Sequence, residues 1–181
     1  VFTMSNEVHG HEGRERPDRV ILISEKGGTI TGAKGMTVES HVSIADAPPL
    51  DLILVPGGIG TRREAKNEAL LAWLARVSAN CEWVTSVCTG SLLLCMAGPG
   101  KGKRVTTHWG FIPTLRETGA AAAVLEEVRY VRDGNLVTAA GVSAGIDMAL
   151  WLVGQMHGED HARMTQRAMQ YDPAPPYAAA V

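Results

Sequence analysis

The chain has 181 residues, 45% of them hydrophobic and 20% charged, with a formal net charge of −2. That length supports one domain with a full core and is short for two ordinary ones. The charge gives no support to nucleic acid or another polyanion as a partner. No run is long and apolar enough to span a membrane. The opening Val1-Phe2-Thr3-Met4-Ser5-Asn6-Glu7 lacks the basic and apolar regions of a signal peptide. The cysteines are Cys81, Cys88 and Cys95, too few and too close for a disulfide framework, so a reduced, cytoplasmic setting is expected.

In chain order, residues 1–8 read as the end of a helix, and His9 to Arg19 as a polar loop containing Gly10, Gly13 and Pro17. Arg19 to Ser24 reads as a strand. Glu25 to Asp46 is glycine-rich and suggests short strands and turns around Ile30 and Val42 to Ile44. Leu50 to Val55 reads as a buried strand ended by Pro56-Gly57-Gly58. Glu64 to Ala79 predicts a helix with Leu70, Leu71, Leu74 and Val77 on one face. A strand from Trp83 then stops at Cys88, and an apolar, small-residue helix follows to about Ala97.

Gly98 to Lys103 reads as a solvated turn, and Arg104 to Thr107 as a short strand. Gly110 to Thr118 reads as a helix. Val124 to Val131 and Asn135 to Ala140 read as strands joined at Asp133-Gly134. Ser143, a plausible N-cap, opens an apolar helix to Met156. A polar helix from Glu159 to Met169 precedes an extended tail, Asp172-Pro173-Ala174-Pro175-Pro176. Strands alternating with helices imply a largely parallel sheet covered on both faces, with the active site beyond the carboxyl ends of its strands.

Cys88 is the chemical centre of this pattern. Nothing polar enough to form a loop separates its strand from the next helix, so the chain must turn sharply there. Gly90 and Ser91 are small enough to let strand and helix approach. A side chain at such an elbow projects from the sheet edge at the positive end of a helix, which favours a thiolate nucleophile. The alternative is a small buried cysteine of no chemical consequence. Pro56-Gly57-Gly58-Ile59-Gly60 ends a second strand and can face the elbow, with the Gly58 and Thr89 amides as oxyanion donors.

His108, in Thr106-Thr107-His108-Trp109, would reach the same edge if its strand runs parallel to that of Cys88. It could then polarise the thiol or relay protons. Otherwise it is a surface or packing histidine beside Trp109. Trp109, Phe111 and Ile112 suggest an apolar pocket wall.

Other patterns carry less. Gly58-Ile59-Gly60 lacks the third glycine of a dinucleotide loop, since Arg63 occupies that place. The turn at Gly98 to Lys103 follows a helix, and Arg104 stands where a phosphate loop needs Ser or Thr. His157 and His161 are four apart, but Gly158 and the want of a third ligand argue against zinc, and His9 and His11 are similarly weak. Asp147, in an apolar helix, needs a partner.

Four segments together resemble the ThiJ/PfpI superfamily, the class I glutamine-amidotransferase-like fold. They are Val55 to Arg62, Thr85 to Ser91, Thr106 to Trp109 and Thr138 to Asp147, in family order and at family-like spacing. The resemblance implies a single α/β domain over residues 1–181, a flavodoxin-like three-layer sandwich with a mostly parallel sheet. It implies a homodimer acting on a small molecule, with Cys88, Thr89 and His108 catalytic. Gly57, Gly58, Thr89 and Trp109 would form the oxyanion and substrate-binding groups. No metal or organic cofactor, nucleic acid or membrane is implied.

Thr89 departs from the His that follows the nucleophile in PfpI-type proteases. Cys-Thr-Gly is shared by isonitrile hydratases and by sensor domains of AraC-type regulators, and the Tyr171 to Tyr177 tail resembles stand-alone hydratase-like members. The expected activity is therefore cysteine-dependent hydration of an isonitrile to an N-substituted formamide. The alternatives are a non-catalytic ligand or redox sensor, or a glyoxalase or deglycase-like enzyme. Family members begin with a strand, an acidic residue and a Gly-Pro helix start, which this chain lacks. The domain is thus expected to be N-terminally incomplete by about twenty residues, one strand and a turn of helix.

Overall fold

The computed structural model describes residues 1–174. In chain order they form α1 (Phe2–His11), β1 (Ile23–Ser24), β2 (Gly28–Thr31), β3 (Thr37–Ser40), β4 (Val42–Ser43) and β5 (Leu52–Val55). Next come α2 (Thr61–Glu64), α3 (Glu68–Ser78), β6 (Trp83–Val87), α4 (Gly90–Ala97) and β7 (Arg104–Val105). A 3-10 turn, Trp109–Phe111, leads into α5 (Ile112–Glu117). Then follow β8 (Ala123–Val124), β9 (Tyr130–Asp133), β10 (Leu136–Ala139), α6 (Val142–His157) and α7 (Glu159–Ala168). They divide into two compact units: Val1–Val20 with the chain from Ala149 onward, and Ile21–Met148.

The larger unit is built on a four-stranded sheet in the order β5-β6-β10-β9. Both neighbours of β6 run parallel to it, and only β9 is antiparallel, joined to β10 by a hairpin. The protein is thus mixed α/β with a mostly parallel, flavodoxin-like sheet. The reason is local. Trp83-Val84-Thr85-Ser86 and all of β10 are buried, as strands covered on both faces must be. Gly134, at φ +67°, supplies the left-handed backbone of the β9–β10 turn.

The core lies among Ile53, Val55, Leu74, Val84, Leu92, Leu94 and Leu115. Each fully buried leucine contributes about 1.5–3 kcal/mol. Two small pairs, β1–β4 and β7–β8, and the β2–β3 hairpin stand outside the main sheet.

Several elements differ from the sequence reading. The helix expected over Glu64 to Ala79 is broken, because Asn67 caps α3 by accepting the Leu70 N–H at 3.2 Å. Ser143 lies inside α6 and receives a hydrogen bond from Arg129 in place of capping the helix. Arg104 to Thr107 does not join β6. Its ordered part, β7, pairs in parallel with β8. The strand expected over Val124 to Val131 is two short ones, β8 and β9. Of the tail, residues from Pro175 lie outside the described part of the chain.

The smaller unit contains α1 and α7. His9 to His11 are helical, where a loop was expected. Asn6 Nδ2 donates to the Asp18 carbonyl, and the Asp18 N–H donates back to Asn6 Oδ1 at 3.1 Å. These bonds hold the segment after α1 against the helix and replace the propensity that Gly10 lacks.

Candidate active site

Parallel pairing aligns Val55 of β5 with Ser86 of β6, and Ala139 of β10 with Val87. The carboxyl ends of three strands therefore open on one edge, and Cys88 sits at the middle of it. Its backbone is left-handed, φ +58°, one of only three non-glycine residues so placed among those described. For a side chain this costs about 1–2 kcal/mol. The strain is held by its neighbours. The Cys88 N–H donates to the Ala139 carbonyl at 2.9 Å. The Cys88 carbonyl accepts from the Thr107 hydroxyl at 2.9 Å and from Ser91 Oγ at 3.2 Å.

Two glycines are sterically required. A Cβ on Gly90 would stand 2.1 Å from the Val55 carbonyl oxygen. A Cβ on Gly57 would stand 2.6 Å from the Thr89 amide nitrogen and 2.8 Å from Cys88 Cβ. Gly57 thus lets the turn after β5 pack directly against the elbow. Gly145 plays the same part beneath the elbow, where a Cβ would meet the Val87 methyls at 2.8 and 2.9 Å. All four segments singled out in the sequence meet here.

The predicted site residues fall out unequally. Thr89 is buried, and its hydroxyl accepts the Gly58 N–H at 2.9 Å and donates to the Gly58 carbonyl at 3.1 Å. The Gly58 amide, expected to face an oxyanion, is therefore engaged by Thr89. His108 follows directly on Thr107, but its Nδ1 accepts the Gly110 N–H at 3.2 Å and its ring lies 5.5 Å from that of Trp109. Among the described residues no hydrogen bond joins His108 to Cys88.

Trp109 is 79% exposed. Phe111 and Ile112, expected in a pocket wall, are buried in the core. Phe111 is also covered by the Arg62 guanidinium, 4.8 Å from its ring centre. Ile59 and Val142 share with Trp109 an exposed position just after a strand.

The three thiols are free and differ in surroundings. Cys95 is buried, which pushes its thiol up to about 11. Cys81 is raised by burial and then by the charge of Asp51. Cys88 is half-buried. Asp147 pairs with Arg129, which gives the acid the partner it needed. Sequence reasoning missed Thr107, whose hydroxyl at an otherwise ordinary position fixes the elbow. The signal was its place immediately before His108.

A cysteine on a strand-to-helix elbow, at the carboxyl edge of a parallel sheet, defines a class of α/β protein. The chain belongs to the DJ-1/PfpI family, whose model matches residues 14–155. It is 42% identical over 148 residues to an isonitrile hydratase of Pseudomonas putida, covering 82% of this chain and 64% of that one. It is 34% identical over 137 residues to the HTH-type transcriptional regulator CdhR of Pseudomonas aeruginosa, covering 76% of this chain and 40% of the regulator. The chain therefore spans less than two thirds of the length of either relative. A solved ThiJ/PfpI family protein from Pseudomonas syringae superposes with a TM-score of 0.84 at 31% identity, over 99% of this chain and 74% of that one.

Proposed function

We propose that this protein is a cysteine-dependent isonitrile hydratase. The carrying observation is Cys88 in a left-handed elbow conformation with the Gly57 turn packed against it, in a chain 42% identical to an isonitrile hydratase. The Cys88 thiolate adds to the terminal carbon of R–NC, forming a C–S bond. That carbon takes a proton, giving a thioimidate. Water adds to the same carbon, the C–S bond breaks, and R–NH–CHO leaves with the thiolate restored. The Thr89 amide polarises the adduct, joined by the Gly58 amide once that amide exchanges its Thr89 hydroxyl partner. Ile59, Trp109 and Val142 offer apolar surface to R. His108 is assigned to proton relay, for which its ring must leave the Gly110 N–H.

The proton for carbon needs an acid, and no carboxylate among the described residues hydrogen-bonds the Cys88 sulfur. We propose that residues 1–181 belong to one domain. We further propose a homodimer in the reducing cytoplasm. Among the described residues no helix is long and apolar enough to cross a membrane.

The test is formamide production from aryl and alkyl isonitriles by the protein, followed by chromatography. Turnover that disappears in Cys88→Ala supports the reading. Absence of formamide from every isonitrile, or full activity in Cys88→Ala, overturns it. Similarity to CdhR favours a second reading, a ligand or redox sensor. Oxidation of Cys88 alone by mild peroxide, without hydration, would select it.

A further inference from the structure

The smaller unit brings together side chains that the sequence keeps about 150 residues apart. One ligand atom each from His9, Glu12 and His161 lies within 4.8 Å of the other two. His9 is 6% exposed, and neither of its ring nitrogens has a hydrogen-bond partner. A buried imidazole with both polar atoms unsatisfied is costly and rare. Its ring stacks on His161 at 3.8 Å.

His161 is held as a metal ligand needs to be. Its Nε2 lies 2.9 Å from Ser5 Oγ and its Nδ1 3.4 Å from an Arg14 guanidinium nitrogen. Arginine can only donate, so Nδ1 carries the lone pair, and the Nε2 hydrogen goes to Ser5. A nitrogen lone pair turned toward a cation, with the other nitrogen oriented by a hydrogen bond, is the arrangement of metal-bound imidazole. Glu12 also pairs with Arg14, so one guanidinium sits on two of the three candidate ligands. The place already attracts a cation, and Arg14, half exposed, can swing into solvent.

The surrounding cleft, about 320 Å³, is lined also by Glu159 and Asp160, which add negative charge. His157 is committed elsewhere, with its Nε2 3.0 and 3.1 Å from the Asp18 carboxylate oxygens.

We propose that His9, Glu12 and His161 form a binding site for a divalent transition-metal ion of the zinc class. The ion displaces the Arg14 guanidinium and joins α1 to α7, with water as fourth ligand. Two imidazoles and one carboxylate suit zinc, nickel or copper better than calcium or magnesium. Tetrahedral zinc at 2.0–2.1 Å from its ligands spaces them about 3.4 Å apart, so atoms now within 4.8 Å of one another close by up to about 1.4 Å, and the His9 ring turns out of its stack on His161 to aim a lone pair at the ion. No residue of the Cys88 elbow takes part.

The test is titration of the metal-stripped full chain with cobalt(II), read by its visible absorption, then competition with zinc. One zinc per chain is expected. Glu12→Gln and His161→Gln should each weaken it at least about tenfold, and Ser5→Ala by about tenfold through loss of orientation. Arg14→Ala should bind more tightly than the parent. Glu12 is surface-exposed, so Glu12→Gln remains informative if the histidine variants fail to fold, which circular dichroism reports. Zinc should raise the thermal midpoint of the parent by more than that of Glu12→Gln. Absence of cobalt absorption, affinity unchanged in Glu12→Gln, or binding lost on alkylation of Cys88 overturns the site. Affinity that Arg14→Ala fails to raise overturns the displacement.

Discussion

The Thr107 hydroxyl donates to the Cys88 carbonyl across 2.9 Å, from a position almost wholly removed from solvent. It ties the segment after β7 to the strained elbow, although the two strands are not paired. Thr107→Val keeps the shape and removes the donor. It should cost about 1–2 kcal/mol in urea unfolding. It should also change the alkylation rate of Cys88 in the folded protein, a readout that general destabilisation under native conditions would leave alone.

The thiols should separate chemically. At pH 8 Cys95, pushed up to about 11 by burial, is almost entirely protonated, and Cys81 is raised by burial and by Asp51. Iodoacetamide on the native protein should therefore label Cys88 alone, as peptide mass spectrometry would show. In denaturant all three should react at similar rates. Equal labelling of Cys95 in the native state would contradict the packing of α4.

Gly90 and Gly60 make a matched pair. A Cβ at Gly90 would press into the Val55 carbonyl oxygen, whereas one at Gly60 meets nothing within 4 Å on right-handed backbone. Gly90→Ala should lose about 3 kcal/mol or more, or fail to fold. Gly60→Ala should stay within about 0.5 kcal/mol of the parent.

Asp133 carries a pH dependence. The Arg104 N–H at 2.9 Å, then Lys103 and the Arg104 charge, hold its carboxyl below the usual aspartate range. In the window between that lowered value and the ordinary one, the unfolded chain binds more protons. Stability is therefore full above the ordinary value and falls as pH drops through the window. Asp133→Asn should flatten this acid limb in chemical denaturation at graded pH, with little change in pH dependence near neutrality.

Much of the site was legible because it rests on short-range rules. Leu52 to Val55 and Trp83 to Val87 are apolar runs with abrupt ends, and the step from Val87 through Cys88 to Gly90 leaves space only for an elbow. Asn67 followed by Glu68 was a readable cap, hidden by the apolar face that continues across it. The position of Arg104-Val105 was not readable, since its pairing with Ala123-Val124 is decided by packing of α5 between them in the chain. Phe111 and Ile112 looked like pocket residues because apolar side chains near a site and in a core have the same composition. His9, Glu12 and His161 carried no joint signal, because their meeting depends on how α1 packs on α7.

The left-handed backbone of Cys88 has a bearing on how the protein is compared with its own inactive forms. Alanine at this position inherits the strain, and glycine releases it. Cys88→Gly should therefore be more stable than Cys88→Ala by about 1 kcal/mol, although both lack the thiol. The chain would hold its sulfur at the cost of a firmer fold, and laboratory selection for thermal stability alone would tend to discard it.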